Sequence, residues 1–205
     1  MTRACLDFNG VLADPKQALI DILKRDFGIR VSREGFGKHL IGSSFPNVIR
    51  GGRPKLLTQS MWEAAKDMLF DTNEFLAIPP IEGAISALCA LRGAGWEIRI
   101  VTDARTVTRE RMETWLKKHG FDGHVDIIFS RKRGSKEPYQ SCCDIVVDNE
   151  LEQLLPLVGK MGPKLIHFLP IKDEGISSLD GNILSLKGWT EVIGSLFGPD
   201  IELAA

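Results

Sequence analysis

What this chain lacks narrows its chemistry. No uninterrupted apolar run approaches the roughly 18 residues that a membrane-spanning helix needs. Excess charge is nearly absent: 26 Lys and Arg stand against 27 Asp and Glu, for a net charge of -1. No broad field therefore draws the chain to a nucleic-acid polymer or an anionic membrane, although a local basic pocket for a small anion is compatible with this balance. The four cysteines, Cys5, Cys89, Cys142 and Cys143, contain no Cys-x-x-Cys pair, and His39, His119, His124 and His167 are scattered. Those spacings exclude the common zinc and iron–sulfur patterns and predict buried or half-buried free thiols. Gly42-Ser43-Ser44 lacks the Gly-Lys-Ser/Thr ending of a P-loop. Met1-Thr2-Arg3 leads at once into strand-like residues, without the apolar region and cleavage site of a signal peptide, so a cytoplasmic protein is expected.

What is present reads as an α/β protein. A chain of 205 residues with 43% apolar and 26% charged residues can bury one sizeable core and carry a smaller inserted domain. Ala4 to Phe8 reads as a short buried strand broken by Asn9-Gly10. A helical period follows from Pro15 to Phe27, with Asp14-Pro15 as its start and Gly28 as its stop. Residues 29 to 77 change character, and the clearest helix there spans Leu56 to Leu69. After Pro79-Pro80 helices and strands alternate. Helices are predicted over Glu82 to Arg92 (Ile85, Leu88 and Cys89 inward), Val107 to His119 and Trp189 to Phe197. Strands are predicted over Trp96 to Val101, Val125 to Phe129, Ile145 to Val147, Leu165 to Phe168 and Ile183 to Leu186. Repeated βα units favour a parallel, Rossmann-like sheet covered on both faces. The expected division is a core of residues 1–14 and 78–205, interrupted by a mostly helical cap of residues 15–77.

Three polar positions lie at the C-terminal ends of predicted strands, where such sheets gather ligands: Asp7, Thr102 and Asp148. A carboxylate can attack phosphorus and form an acyl phosphate. Two anions must then approach each other, which calls for Mg²⁺ between phosphate and carboxylates. A hydroxyl and a lysine can hold the remaining phosphoryl oxygens. Asp7 fits the nucleophile and a metal ligand, Asp148 a second metal ligand, and Thr102 a phosphate donor. The lysine comes from Arg131-Lys132-Arg133-Gly134-Ser135-Lys136, where both Lys136 and Lys132 qualify and Lys136 is preferred. Gly10, Asp103 and Arg105 join Thr102 as candidates for substrate contact. Against these readings, Asn9-Gly10 is also an ordinary turn signal, and a basic run is also an ordinary solvated face.

Asp7-Phe8-Asn9-Gly10-Val11-Leu12, Ile98-Arg99-Ile100-Val101-Thr102-Asp103 and Ile145-Val146-Val147-Asp148-Asn149 together resemble the motifs of the haloacid dehalogenase-like (HAD) phosphohydrolase superfamily, over nearly the whole chain. Asp7 to Asp14, with Pro79 to Ala84, is similar to its 5'-nucleotidase and deoxyribonucleotidase branch. The resemblance implies Mg²⁺-dependent hydrolysis of a small phosphorylated metabolite or nucleotide, with a helical cap setting specificity. It also implies that the backbone carbonyl at position 9 binds the metal and that an aspartate there serves as general acid and base.

This chain departs from that pattern twice. Asn9 cannot carry a proton between partners, and losing a general acid–base costs about 10²–10⁴-fold in rate. Asn149 stands where many relatives have a further aspartate, so the metal would rest on Asp7, Asp148 and the carbonyl of Asn9, with Glu152 as an outer helper. Weakened Mg²⁺ binding is expected. Asn9 and Asn149 together also favour an alternative: a catalytically impaired, HAD-like phosphate-binding or regulatory protein. Neither a polymeric nucleic acid nor a membrane is an expected partner; an apolar patch on the cap is where a homodimer would form.

Overall fold

The computed structural model describes residues 1–36, 40–48, 52–102, 107–130, 139, 143–159, 162–169 and 182–198. The chain forms two compact units: Met1–Ala13 with Pro79–Ala205, and Asp14–Ile78.

The first unit is built on a six-stranded, all-parallel sheet. Its strands are β1 (Arg3–Asp7), β4 (Glu97–Thr102), β5 (Asp126–Phe129), β6 (Ile145–Asp148), β7 (Lys164–Leu169) and β8 (Ile183–Lys187), and β2 (Ser44–Phe45) and β3 (Lys55–Leu56) lie in the second unit. Their spatial order is β5-β4-β1-β6-β7-β8. β1 is thus central, and the chain builds outward on one side of it before crossing to the other. The gap beside such a reversal is where open α/β sheets place their ligands. Two-sided burial explains the unbroken apolar runs of these strands. Leu6, Ile100, Val146 and Ile166 are each fully buried, and each such side chain contributes about 1.5–3 kcal/mol relative to exposure.

Both faces of the sheet are covered. On one, Cys5, Val146, Leu165 and Ile183 form a row that packs with Tyr139, Cys143, Leu154 and Leu157. The last two come from the short helix α5 (Leu151–Leu154) and the 3-10 turn Leu155–Leu157. On the other, Trp189 of α6 (Gly188–Phe197) meets Phe168 of β7 at 5.5 Å between ring centroids. The helix α3 (Ala84–Gly93) buries Ala84, Ala87, Leu88 and Leu91, the 3.6-residue stripe that follows from a start at Ala84. Cys89 falls off this stripe and is exposed, contrary to the inward position expected for it. α4 (Arg109–Lys118) begins at Thr108, whose hydroxyl accepts the amide of Arg111, and buries Met112, Trp115 and Leu116.

The second unit contains α1 (Lys16–Phe27), the two-stranded antiparallel ribbon of β2 (Ser44–Phe45) and β3 (Lys55–Leu56), α2 (Gln59–Asp71) and a 3-10 turn over Asn73–Ala77. Gly28, at φ +67°, closes α1 by donating its amide to the carbonyl of Leu23. The helix expected from Leu56 starts later. Leu56 belongs to the ribbon, and the Thr58 hydroxyl accepts the amide of Met61 at 3.3 Å to cap α2. Among the described residues no helix is long and apolar enough to cross a membrane.

The expectation of free thiols needs correction. Cys5 and Cys143 form a disulfide, with Cα atoms 5.9 Å apart and 138 residues apart in sequence. The parallel pairing of β1 with β6 brings them together: Cys5 lies opposite Val146, three residues beyond Cys143. No local spacing encodes such a contact. The bond ties the strand that carries Asp7 to the segment entering β6, and bonds of this kind persist chiefly in oxidising surroundings. Replacing both residues, Cys5→Ala with Cys143→Ala, should lower the unfolding free energy by about 2–5 kcal/mol. Non-reducing peptide mapping should recover the Cys5 and Cys143 peptides as one linked species. Separate peptides, with stability indifferent to reductant, would contradict the assignment.

Candidate active site

The site begins with a turn whose backbone leaves little freedom. β1 ends at Asp7, which is 5% exposed. Beyond it, the amides of Leu12 and Ala13 both donate to the carbonyl of Phe8 at 2.9 Å, and the Gly10 amide donates to the carbonyl of Ala13 at 2.8 Å. Gly10 has φ +85°, a conformation that a side chain would strain. The turn is anchored from outside as well. The indole N–H of Trp189 donates to the carbonyl of Val11 at 2.9 Å, and the Ile81 amide donates to that of Leu12 at 2.8 Å. Phe8 packs edge-on against Trp115 at 4.9 Å. The position of the residue 9 carbonyl is therefore set by the fold.

Asp7 and Asp148 end neighbouring strands at one level. Leu6 pairs with Val147, and the next residue on each strand is the aspartate. Phe8 donates its amide to Oδ1 of Asp7 at 2.6 Å. Asp148, fully buried, accepts the Tyr139 hydroxyl on Oδ2 at 2.9 Å and the Glu150 amide on Oδ1 at 2.8 Å. Burial, and then the negative fields of Asp148 and Asp7, push the Tyr139 hydroxyl well above its ordinary pKa. The strand register, which sets the two aspartates side by side, is consistent with both fields reaching one phenol. Tyr139 consequently stays a neutral donor, held to Asp148.

The third predicted element, Thr102, ends β4 one residue past Val101, the partner of Asp7, and is fully buried. Ser130, buried at the end of β5, donates its amide to the carbonyl of Thr102 at 2.9 Å. On the other side of Asp148, the register continues to His167 and then Ser185, whose hydroxyl lies 3.4 Å from Nδ1 of His167. Asp7, Asn9, Gly10, Thr102 and Asp148 are thus gathered at one edge of one sheet. Asp103, Arg105, Lys132 and Lys136 lie outside the described residues. Tyr139 and His167 carried no motif signal. A lone polar residue inside the apolar run Leu165–Phe168 was the one hint of the latter.

Asn149 completes the arrangement. Its amide is assigned with nitrogen inward from the hydrogen-bond network, because with oxygen inward it would face only acceptors. With nitrogen inward it donates to the carbonyl of Asn9 at 3.0 Å and to Oδ2 of Asp7 at 3.2 Å. Two oxygens thus converge on one point, and Asp148 adds a carboxylate on the adjoining strand. This hard oxygen set suits Mg²⁺, which is usually held by one or two carboxylates and retains water. Among the described residues no group of three or more His, Cys, Asp or Glu is placed to hold a metal; the set here is two carboxylates and a carbonyl. Asn9 differs from its neighbours: its side-chain Oδ1 is buried without a hydrogen-bond partner among the described residues.

No protein-family model matches the chain, and no curated protein sequence does. Solved structures do. A HAD-family hydrolase from Deinococcus radiodurans R1, with bound phosphate and sodium, superposes with a TM-score of 0.58 at 18% identity, covering 96% of this chain and 95% of its own. A hydrolase from Pseudomonas syringae gives 0.57 at 14% identity, covering 96% and 98%. A family IA, variant 3 HAD hydrolase from Entamoeba histolytica HM-1:IMSS gives 0.52 at 17%, covering 91% and 92%. The chain has the HAD-like α/β fold. Within it, Tyr139→Phe should cost about 1–3 kcal/mol by leaving a buried carboxylate oxygen short of a donor. Urea unfolding checks this; an unchanged midpoint would mean that the hydroxyl does not support Asp148.

Proposed function

We propose that this protein is a phosphomonoester hydrolase that acts through an aspartyl phosphate at Asp7 on a small metabolite or nucleotide. The observation that carries the reading is the placement of a buried carboxylate at the end of the central strand, level with Asp148 and next to Thr102. The bound phosphate of the Deinococcus neighbour belongs to that protein, and it makes an oxyanion a sensible ligand to test here.

In this reading an oxygen of Asp7 attacks phosphorus, a P–O bond to Asp7 forms, and the bond to the leaving alcohol breaks. Thr102 donates to a phosphoryl oxygen, and Lys136 or Lys132 balances its charge. Asp7, the carbonyl of Asn9 and Asp148 would hold Mg²⁺, which supplies charge neutralisation between the two anions. Tyr139 and the Glu150 amide hold Asp148 in place. Asn9 offers a hydrogen bond to the leaving oxygen but no proton. Esters with poor leaving groups are therefore turned over slowly. Water attack on the acyl phosphate slows as well, because the same side chain cannot accept its proton.

A second reading is favoured by one observation. The buried Oδ1 of Asn9, without a partner among the described residues, is a neutral acceptor where an acid would act, which suits a protein that holds a phosphorylated ligand without cleaving it. Kinetics separate the two. With Mg²⁺ and an activated aryl phosphate, slow hydrolysis is expected in the wild type and none in Asp7→Asn. Asn9→Asp should raise kcat by about 10²–10⁴-fold on an alkyl phosphate, and by less on the aryl ester. Full activity in Asp7→Asn would refute the nucleophile. Silence in both the wild type and Asn9→Asp, with phosphate still bound, would establish the second reading.

A further inference from the structure

The Asn149 amide occupies the point at which the oxygens of Asp7 and Asn9 converge, 3.0 Å from one and 3.2 Å from the other. Its seat is shaped for it. A Cβ built on Gly10 would fall 2.7 Å from Cγ of Asn149, so the absent side chain at position 10 makes the room that this amide fills. One planar NH₂ group supplies two donors, and the two acceptors take both.

We propose that the Asn149 amide is a tethered, neutral stand-in for the divalent cation: it must leave these two oxygens before a cation can bind them. The inference rests on the cation site of the proposed function. Mg²⁺ demands close oxygen ligands in a near-octahedral shell and keeps its own water. An amide nitrogen directed at the same lone pairs competes for them. It also cancels part of the repulsion that Asp7 would otherwise feel beside Asp148, so the site keeps its shape without metal. A carboxylate at position 149 could do neither, since it has no donor when ionised. The chain has thus exchanged cation affinity for a preformed, cation-independent arrangement of the nucleophile.

Removing the amide tests this, because a ligand, a bystander and a competitor predict different signs. In titration calorimetry with MgCl₂, Asn149→Ala should bind the cation about tenfold or more tightly than the wild type, the order expected when one charge-assisted hydrogen bond no longer has to be displaced. In EDTA the variant should melt at a lower temperature than the wild type, and MgCl₂ should restore it. Asn149→Ser, which is smaller but polar, should shift in the same direction and serves if the alanine protein does not fold. Equal affinity in wild type and variant would overturn the inference and make Asn149 a bystander. Weaker binding in the variant would also overturn it, by making the amide oxygen a ligand; in both cases the cation site itself stands. If neither protein bound Mg²⁺ at millimolar concentrations, the cation site of the proposed function would fall together with the inference.

Discussion

Two carboxylates buried at adjacent strand ends are the constraint around which this molecule is arranged. Asp7 and Asp148 are 5% and 0% exposed, and an ionised carboxylate removed from water must be met by donors or counter-charge. The donors come from separate parts of the sequence. The Phe8 amide directly follows Asp7, the Glu150 amide lies two residues past Asp148, the Tyr139 hydroxyl arrives from a preceding segment, and Asn149 reaches across to Asp7. The tight turn after β1, anchored by Trp189 and Ile81, fixes the carbonyl of Asn9 beside them. Stability and reactivity are therefore linked at this edge: the groups that make the carboxylates tolerable are the groups that orient them.

The two asparagines act in one direction. At both positions the HAD motif leads one to expect an acid, and at both this chain has an amide. In the proposed reaction Asn9 would remove a proton carrier, and Asn149 would replace a negative ligand by a donor. Each change lowers the negative charge crowded around Asp7, which eases burial of the nucleophile without metal. In the proposed reaction the same changes slow departure of the alcohol and attack of water. The expected signature is a phosphoenzyme that forms and then lingers.

Much of the fold was legible because parallel strands buried on both faces read as short apolar runs ending in a polar residue. β1, β4 and β6 showed this at Asp7, Thr102 and Asp148, and the turn signals at Asn9-Gly10 and Gly28 marked real chain reversals. What escaped depended on register. The Cys5–Cys143 bond, the row from Asp148 through His167 to Ser185, and the bridge from Asn149 to Asp7 exist only once strands are aligned. Tyr139 escaped for a related reason: it comes from a stretch without periodicity, and only the buried carboxylate explains it. Cys89 was misplaced because the buried stripe runs through Ala84, Ala87, Leu88 and Leu91, and a residue one past Leu88 lies about 100° around the helix from it. Leu56 went to a ribbon because Thr58 caps α2.

The proposed reaction turns on a covalent bond between Asp7 and phosphorus. Acid quenching of the wild-type protein during reaction with an aryl phosphate and MgCl₂, followed by mass spectrometry of its peptides, tests it most directly. One added phosphoryl group is expected on the peptide spanning Asp7, labile to hydroxylamine, and more of it in the wild type than in Asn9→Asp. Phosphate attached to another residue, or turnover with Asp7 unmodified at every time point, would contradict it.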